Sequence, residues 1–307
     1  MRYGIFGIFS DRLTLDVYDQ QNSRFFKLYS QYVPLSLQNC LSQGALTEEG
    51  QQLLLSAFPP LLKEASLLLC SKNFAFAAAV LRYATNRDAV CRRVSAAFSL
   101  PVTVLTGQEL CRFAYQSMPL GTASGLGCSI GGESTQVFTF RGGQVLQWAS
   151  LPVGCLSLQR RFTSSFFPSQ EEEQQMEQTL LSLLEGYPHL LQTNCRTLHV
   201  TGFGPWQAAG LHLSLSGSKQ PGRQRGWSSS DFALIFRLLR KEDLSGVELV
   251  QRLFPHFAGS LFPSLILMRA IGRLAGAEEH LIHAPNLSGP FLQQAAPSAA
   301  ENQEITA

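Results

Sequence analysis

The chain lacks the marks of several large protein classes. It has no Cys-x-x-Cys pair, and its seven cysteines, at 40, 70, 91, 111, 128, 155 and 195, are odd in number and widely spread. That pattern argues against a zinc site or a disulfide framework and fits reduced thiols in a cytoplasmic protein. No apolar run approaches the ~20 residues of a membrane-spanning helix. Charge is scarce and balanced: 24 Lys and Arg against 22 Asp and Glu leave a net +2. Such a surface has no strong field, so neither nucleic acid nor a membrane is expected as a partner. Among the six histidines, His280 and His283 lie close together without nearby carboxylates at metal-ligand spacing, and read as packing or solvent residues. The opening Met1-Arg2-Tyr3-Gly4-Ile5-Phe6 has no signal-peptide pattern and enters a strand directly.

What is present is enough for two domains. The 307 residues are 45% apolar, ample for large cores. The chain is best read around residues 128–135, Cys-Ser-Ile-Gly-Gly-Glu-Ser-Thr. A strand-like run precedes this stretch, and two more follow at 135–140 and 144–151, separated by Arg141-Gly142-Gly143. Paired glycines in such a turn let backbone N–H groups gather around an anion. A plain β-hairpin with a glycine turn fits the same residues.

Taken in order, residues 2–9, 12–18 and 24–33 read as strands, with a turn at Ser10-Asp11. Thr47, followed by Glu48 and Glu49, is a good helix start, and Pro59-Pro60 should kink or divide that helix. Residues 74–80 read as a buried strand, and Asn86 and Asp88 as caps of a helix to Phe98. A strand over 100–105 leads to a helix opening at Thr106. Residues 117–125 form the expected linker. A helix follows at 155–163, then Ser169 caps an acidic helix start, a strand spans 196–200, and helices follow near 231–240, 244–254 and 261–276. Residues 214–230 read as a solvated loop carrying Lys219, Arg223 and Arg225, with a polyanion contact as the sharper alternative. A last strand covers 279–282, and 293–307 is an expected disordered tail.

Three stretches resemble the exopolyphosphatase/guanosine pentaphosphatase (Ppx/GppA) family of the actin-like ATPase superfamily. Ser129-Ile130-Gly131-Gly132-Glu133-Ser134-Thr135 is similar to the family's Asp-Ile-Gly-Gly-Gly-Ser-Thr. Leu81-Arg82 through Asn86-Arg87-Asp88 is similar to Ala-Leu-Arg-x-Ala-x-Asn-Arg-Asp. Leu151-Pro152-Val153-Gly154-Cys155 is similar to Leu-Pro-hydrophobic-Gly-Ala/Cys. The resemblance covers about residues 1–290. It implies two actin-like (ribonuclease H-like) α/β domains, 1–117 and 118–292. Each would have a mixed sheet of the five-stranded type flanked by helices, with a cleft between the domains.

The resemblance also implies site residues, several of them altered. Phosphate-binding positions map to Ser10, Arg82, Gly131, Gly132, Ser134, Gly154 and Gly202. The family's metal-linked Asp in the first loop becomes Gly7, and the loop Gly becomes Phe9. Asp11 stands at the Asn position with Arg12 beside it. The leading Asp of the second loop becomes Ser129 and its third Gly becomes Glu133. The general base falls on Leu110, while the neighbouring Glu109 is kept, ~100° away around the helix. The Thr upstream of Arg82 is Ala78, a Thr in the Gly-x-x-Gly-Thr turn is Pro205, and the last loop, 284–290, has no acidic residue.

Family members hydrolyse terminal phosphates of polyphosphate or guanosine pentaphosphate, with a base, carboxylate-held Mg²⁺ and groups facing the phosphates. The leading expectation is a catalytically impaired member acting through a phosphate-rich anion or a protein partner, a homodimer among them, with no cofactor. The rival is an active phosphohydrolase with Glu109 as base and Mg²⁺ on Asp11 and Glu133. A weaker alternative is an actin-like kinase or ATPase.

Overall fold

A computed structural model gives the fold, and describes all residues except 23, 192–194, 217–223, 240–244, 257 and 297–307. The first strand, β1 (Arg2–Ile8), is buried along almost its whole length, so it must lie inside a sheet. β2 (Arg12–Gln21) and β3 (Arg24–Pro34) follow it as an antiparallel meander, and β3 is largely exposed at the edge. A 3-10 turn (Leu37–Cys40) and the short hairpin β4 (Leu41–Ser42) and β5 (Ala45–Leu46) lead into α1 (Glu48–Leu67). Then come β6 (Lys72–Ala77), α2 (Ala79–Tyr83), α3 (Arg87–Phe98) and β7 (Val102–Val104). The sheet order is β3-β2-β1-β6-β7, with β6 and β7 added in parallel.

Two local expectations need correction. Pro59 and Pro60 lie inside α1 and do not divide it. Both are exposed, so the carbonyls they leave without an N–H partner lie on the solvent side of the helix. The buried stripe Leu54, Ala57, Phe58, Leu61 and Ala65 holds the other side against the core. Asn86 stands at the start of α3 without a side-chain capping bond. Its amide instead makes a two-way bond to the backbone of Leu46, 2.9 Å in each direction, and so pins the β4–β5 hairpin.

The second compact unit runs from Gly107 to Pro285. It contains α4 (Gly107–Ser117), β8 (Ser124–Ile130), β9 (Thr135–Arg141), β10 (Gln144–Leu151), α5 (Cys155–Phe162), α6 (Gln170–Leu184) and α7 (Pro188–Leu191). There follow β11 (Thr197–Thr201), α8 (Phe203–Ser216), β12 (Gln224–Ser228), α9 (Ser229–Leu239), α10 (Ser245–Leu253), α11 (Ala258–Ala275) and β13 (Glu279–His283). Its sheet order is β10-β9-β8-β11-β13-β12. The first five strands repeat the meander-plus-parallel order of unit 1, a duplication the sequence does not reveal. α11 is buried along most of its length and forms the centre of the apolar core. No single described helix is long and apolar enough to cross a membrane.

The sixth strand corrects the loop expected over 214–230. α8 runs to Ser216, and residues 224–228 pair antiparallel with β13. The buried indole of Trp227, packed edge-on against Phe232 at 5.2 Å, anchors that edge strand. The part of the loop at 217–223 lies outside the described residues. Of the two readings of His283, packing or solvent, the structure shows packing: it is fully buried, and its Nε2 lies 3.0 Å from Nδ1 of His199. Burial, with the neighbouring His199 adding to it, lowers the His283 pKa to about 4.

The division of the chain also differs from a boundary at 117/118. α4 belongs to unit 2, because Cys111, Ala114, Tyr115 and Met118 share an apolar cluster with Phe138 and Phe140. The expected linker at 117–125 therefore lies within unit 2. The chain returns to unit 1 at Asn286 through α12 (Ser288–Ala295), which takes in the first residues of the expected tail. The rest of that tail, 297–307, lies outside the described residues. The return is held by polar and apolar contacts. Asp16, buried on β2, accepts from Lys27 at 2.7 Å, from Ser30 at 2.6 Å and from the Ser288 hydroxyl. The Tyr18 hydroxyl donates to Asn286 at 2.7 Å, and Phe291 packs on Phe76 with ring centroids 5.0 Å apart.

Candidate functional site

In unit 1 the candidate residues sit on the β1–β2 turn and on α2. The β1–β2 turn is closed by Phe9 N–H donating to the Arg12 carbonyl at 2.9 Å, and Ser10 is buried within it. Asp11 is not an open carboxylate. Nη1 of Arg12 reaches both of its oxygens, at 2.9 and 2.8 Å, and the guanidinium also lies 4.9 Å from the Phe9 ring centre.

Gly7 is equally committed. A Cβ added there would meet the Phe9 ring at 2.8 Å, the Phe76 ring at 2.9 Å and the Thr14 hydroxyl at 2.7 Å. The volume that a carboxylate at position 7 would need is taken by two aromatic rings, themselves in edge contact at 5.7 Å.

Arg82, on α2, is different. Its Nη2 donates to the Tyr83 hydroxyl at 2.8 Å, and the guanidinium lies 4.6 Å from the Tyr83 ring centre. Its Nε and Nη1 are buried and have no hydrogen-bond partner among the described residues. Buried guanidinium donors are rarely left unmatched, so this pair calls for an acceptor.

In unit 2 the glycine turn between β8 and β9 meets the start of α5. Gly131 N–H donates to the Ser134 carbonyl at 2.9 Å. The Gly131 carbonyl accepts from Cys155 N–H at 3.0 Å, and the Gly132 carbonyl accepts from Leu156 and Ser157 N–H at 2.8 and 3.1 Å. The Gly154 amide, expected to stand open to an anion, donates to the Ser157 hydroxyl at 2.8 Å. The free N–H groups that make a helix N-terminus an anion site are thus taken up by the chain itself. Gly154 is required by this packing, since a Cβ would lie 2.4 Å from the Gly131 oxygen. Ser157 closes the cap in both directions, also donating to the Gly154 carbonyl at 3.0 Å. Ser157→Ala is expected to destabilise the protein by about 1 kcal/mol, read as a lower midpoint in urea with an unchanged slope.

Glu133 completes the turn. Its two oxygens accept from Nη1 and Nη2 of Arg160 on α5, at 2.6 and 2.8 Å. The hydrogen bond to Glu133 raises the Arg160 pKa further, against the effect of burial. Ser134 is buried and accepts from the Gln136 amide at 2.9 Å, which also donates to Ser150. Gly202 follows β11 with φ +130°, where a Cβ would run into the Ile130 carbonyl, so it serves close strand packing. Pro205 lies in the first turn of α8, where its missing N–H has no helical partner to lose. Leu110 is buried on α4, and Glu109 beside it is half-buried and already engaged in an interaction.

The residues present do not fit a carboxylate-held Mg²⁺. Both candidate ligands, Asp11 and Glu133, are closed into two-bond arginine contacts. Among the described residues, no three His, Cys, Asp or Glu side chains converge. Sequence reasoning missed Arg160, whose partner is 27 residues away, and missed Phe76 as the occupant of the space beside Gly7. A basic residue shortly after a Gly-Cys helix start, set against an acid in a glycine turn, is the signal that could have found the first.

Two sheets of one strand order, each opening on a glycine- or serine-bearing hairpin turn, define the actin-like ATPase class of fold. The Ppx/GppA phosphatase family matches residues 17–207, and the chain belongs to that family. An exopolyphosphatase from Cytophaga hutchinsonii is similar at 17% identity and TM-score 0.83, over 95% of this chain and 96% of that one. A Ppx/GppA family member from Aquifex aeolicus is similar at 15% identity and TM-score 0.74, over 100% and 99% of the two chains. An exopolyphosphatase-like protein is similar at 12% identity and TM-score 0.80, over 95% and 97%.

Proposed function

We propose that this member of the family binds a phosphate-rich anion, such as polyphosphate or guanosine pentaphosphate, and hydrolyses it poorly or not at all. The observation that carries the reading is the contrast between Arg82 and its counterparts. Arg82 keeps two buried donors with no acceptor, whereas Asp11 and Glu133 are closed by arginines and the space beside Gly7 is filled. A cation that still seeks an oxyanion, beside candidate carboxylates already held at Asp11 and Glu133, suits retention better than turnover.

The test is a calorimetric titration with tripolyphosphate. Arg82→Ala should weaken binding by about 1.5–3 kcal/mol, the range for hydrogen bonds to a charged group. An unchanged affinity would remove Arg82 from the site, and no measurable binding by the wild-type chain would sink the reading.

A further inference from the structure

The Glu133–Arg160 contact has a geometry that bears on ligand access. Arg160 presents both terminal nitrogens to two oxygens, the same planar fork an arginine offers to a phosphate. The two partners are unequally exposed: the Glu133 side chain is 10% accessible, and that of Arg160 is 37%. The carboxylate is therefore the more deeply buried partner of the pair. Their relative position is fixed by the backbone, because the turn bearing Glu133 accepts the first N–H groups of the helix bearing Arg160.

We propose that Glu133 is a tethered competitor that occupies Arg160 in place of an external oxyanion. A phosphate-rich ligand engages Arg160 by exchange, its oxygens replacing those of Glu133, with no covalent step. This inference rests on the reading of the chain as an anion binder, and it concerns how that binding is restrained. A carboxylate held in place acts as a built-in inhibitor at constant local concentration. Weak single phosphates cannot displace it, whereas a polyanion that gains several contacts at once can.

The experiment titrates tripolyphosphate and inorganic phosphate into the wild-type chain and variants at fixed salt. Glu133→Gln, which keeps the shape and removes the charge, is expected to bind tripolyphosphate roughly tenfold tighter or more, the scale of one charged hydrogen-bond pair. Glu133→Gly frees the same guanidinium by another route and must show a gain of the same sign. Arg160→Met on the Glu133→Gln background should return affinity to or below the wild-type value. No gain in either Glu133 variant, or a gain that survives Arg160→Met, overturns the proposal. Arg82→Ala on the same background separates this inference from the reading beneath it. If affinity rises in Glu133→Gln but is indifferent to Arg82, the competitor stands and the role of Arg82 falls. If Arg82→Ala weakens binding while neither Glu133 variant strengthens it, the reverse holds.

Discussion

Supplied with polyphosphate, guanosine pentaphosphate or ATP, and Mg²⁺ or Mn²⁺, the chain is expected to release phosphate at least about 10²–10⁴-fold more slowly than an enzyme with a positioned base. Leu110 is a buried hydrocarbon where the family resemblance places that base, and Glu109 is already engaged. Restoring the lost carboxylate should not help. Gly7→Asp would drive a charged side chain into the rings of Phe9 and Phe76, the latter fully buried. Overpacking and an unmatched buried charge together should cost about 3 kcal/mol or more. The variant is therefore expected to melt well below the parent and to gain no activity. A Gly7→Asp protein with an unchanged melting point would contradict the packing argument. Wild-type turnover that needs metal and vanishes in both Glu133→Gln and Glu109→Gln would identify a rewired enzyme and overturn the impaired reading.

Stability is expected to fall by about 2–3 kcal/mol between pH 6.5 and 4 through His283 alone. The sign follows from where the proton binds. Folded His283 has its pKa lowered to about 4 by burial first and by the neighbouring His199 second. The unfolded chain takes up that proton near pH 6.5. Between these values the unfolded state holds more protons, so stability declines as pH falls and levels off below about 4. Burial lowers His199 and His280 as well, adding to the same slope. The carboxylates lowered by their partners, Glu48 by Arg93 and Glu172 by its Ser169 cap, act at the acid end and in a separate window. Urea denaturation at pH 7, 5.5 and 4.5 checks the slope. It should flatten in His283→Leu; an equal slope in that variant would remove His283 as the cause.

Much of the element sequence was legible in the chain because its signals are local, although α8, β12 and α12 were not. Runs buried on both faces mark β1 and β9 and an alternating run opens β2, while Thr47 and Ser169 mark helix starts that the structure caps through Gly50 N–H and Glu172 N–H. The positions of Arg82 and of the glycine turn could be read from short motifs. Their partners could not. Arg160 meets Glu133 through a turn-to-helix contact, and Asn86 reaches back 40 residues to Leu46. Phe9 and Phe76 come together only once β1 and β6 pair in parallel. Such contacts are set by sheet register, which no single window of sequence contains. The duplication was hidden for a related reason: strand order can be repeated with almost any residues that alternate correctly.

The return of the chain at Asn286 fixes an order of events during synthesis. Unit 2 has all its residues once Pro285 has left the ribosome, whereas unit 1, begun first, does not. Throughout the manufacture of unit 2, Phe76 waits without Phe291, and Asp16 waits without the Ser288 hydroxyl. The nascent N-terminal unit therefore carries an uncovered aromatic face and an under-supplied carboxylate for the length of some 180 codons (unit 2, Gly107–Pro285). A stop codon just before Ser288 would remove more than a terminal helix. It would leave the first 106 residues without the Phe291 and Ser288 contacts for good.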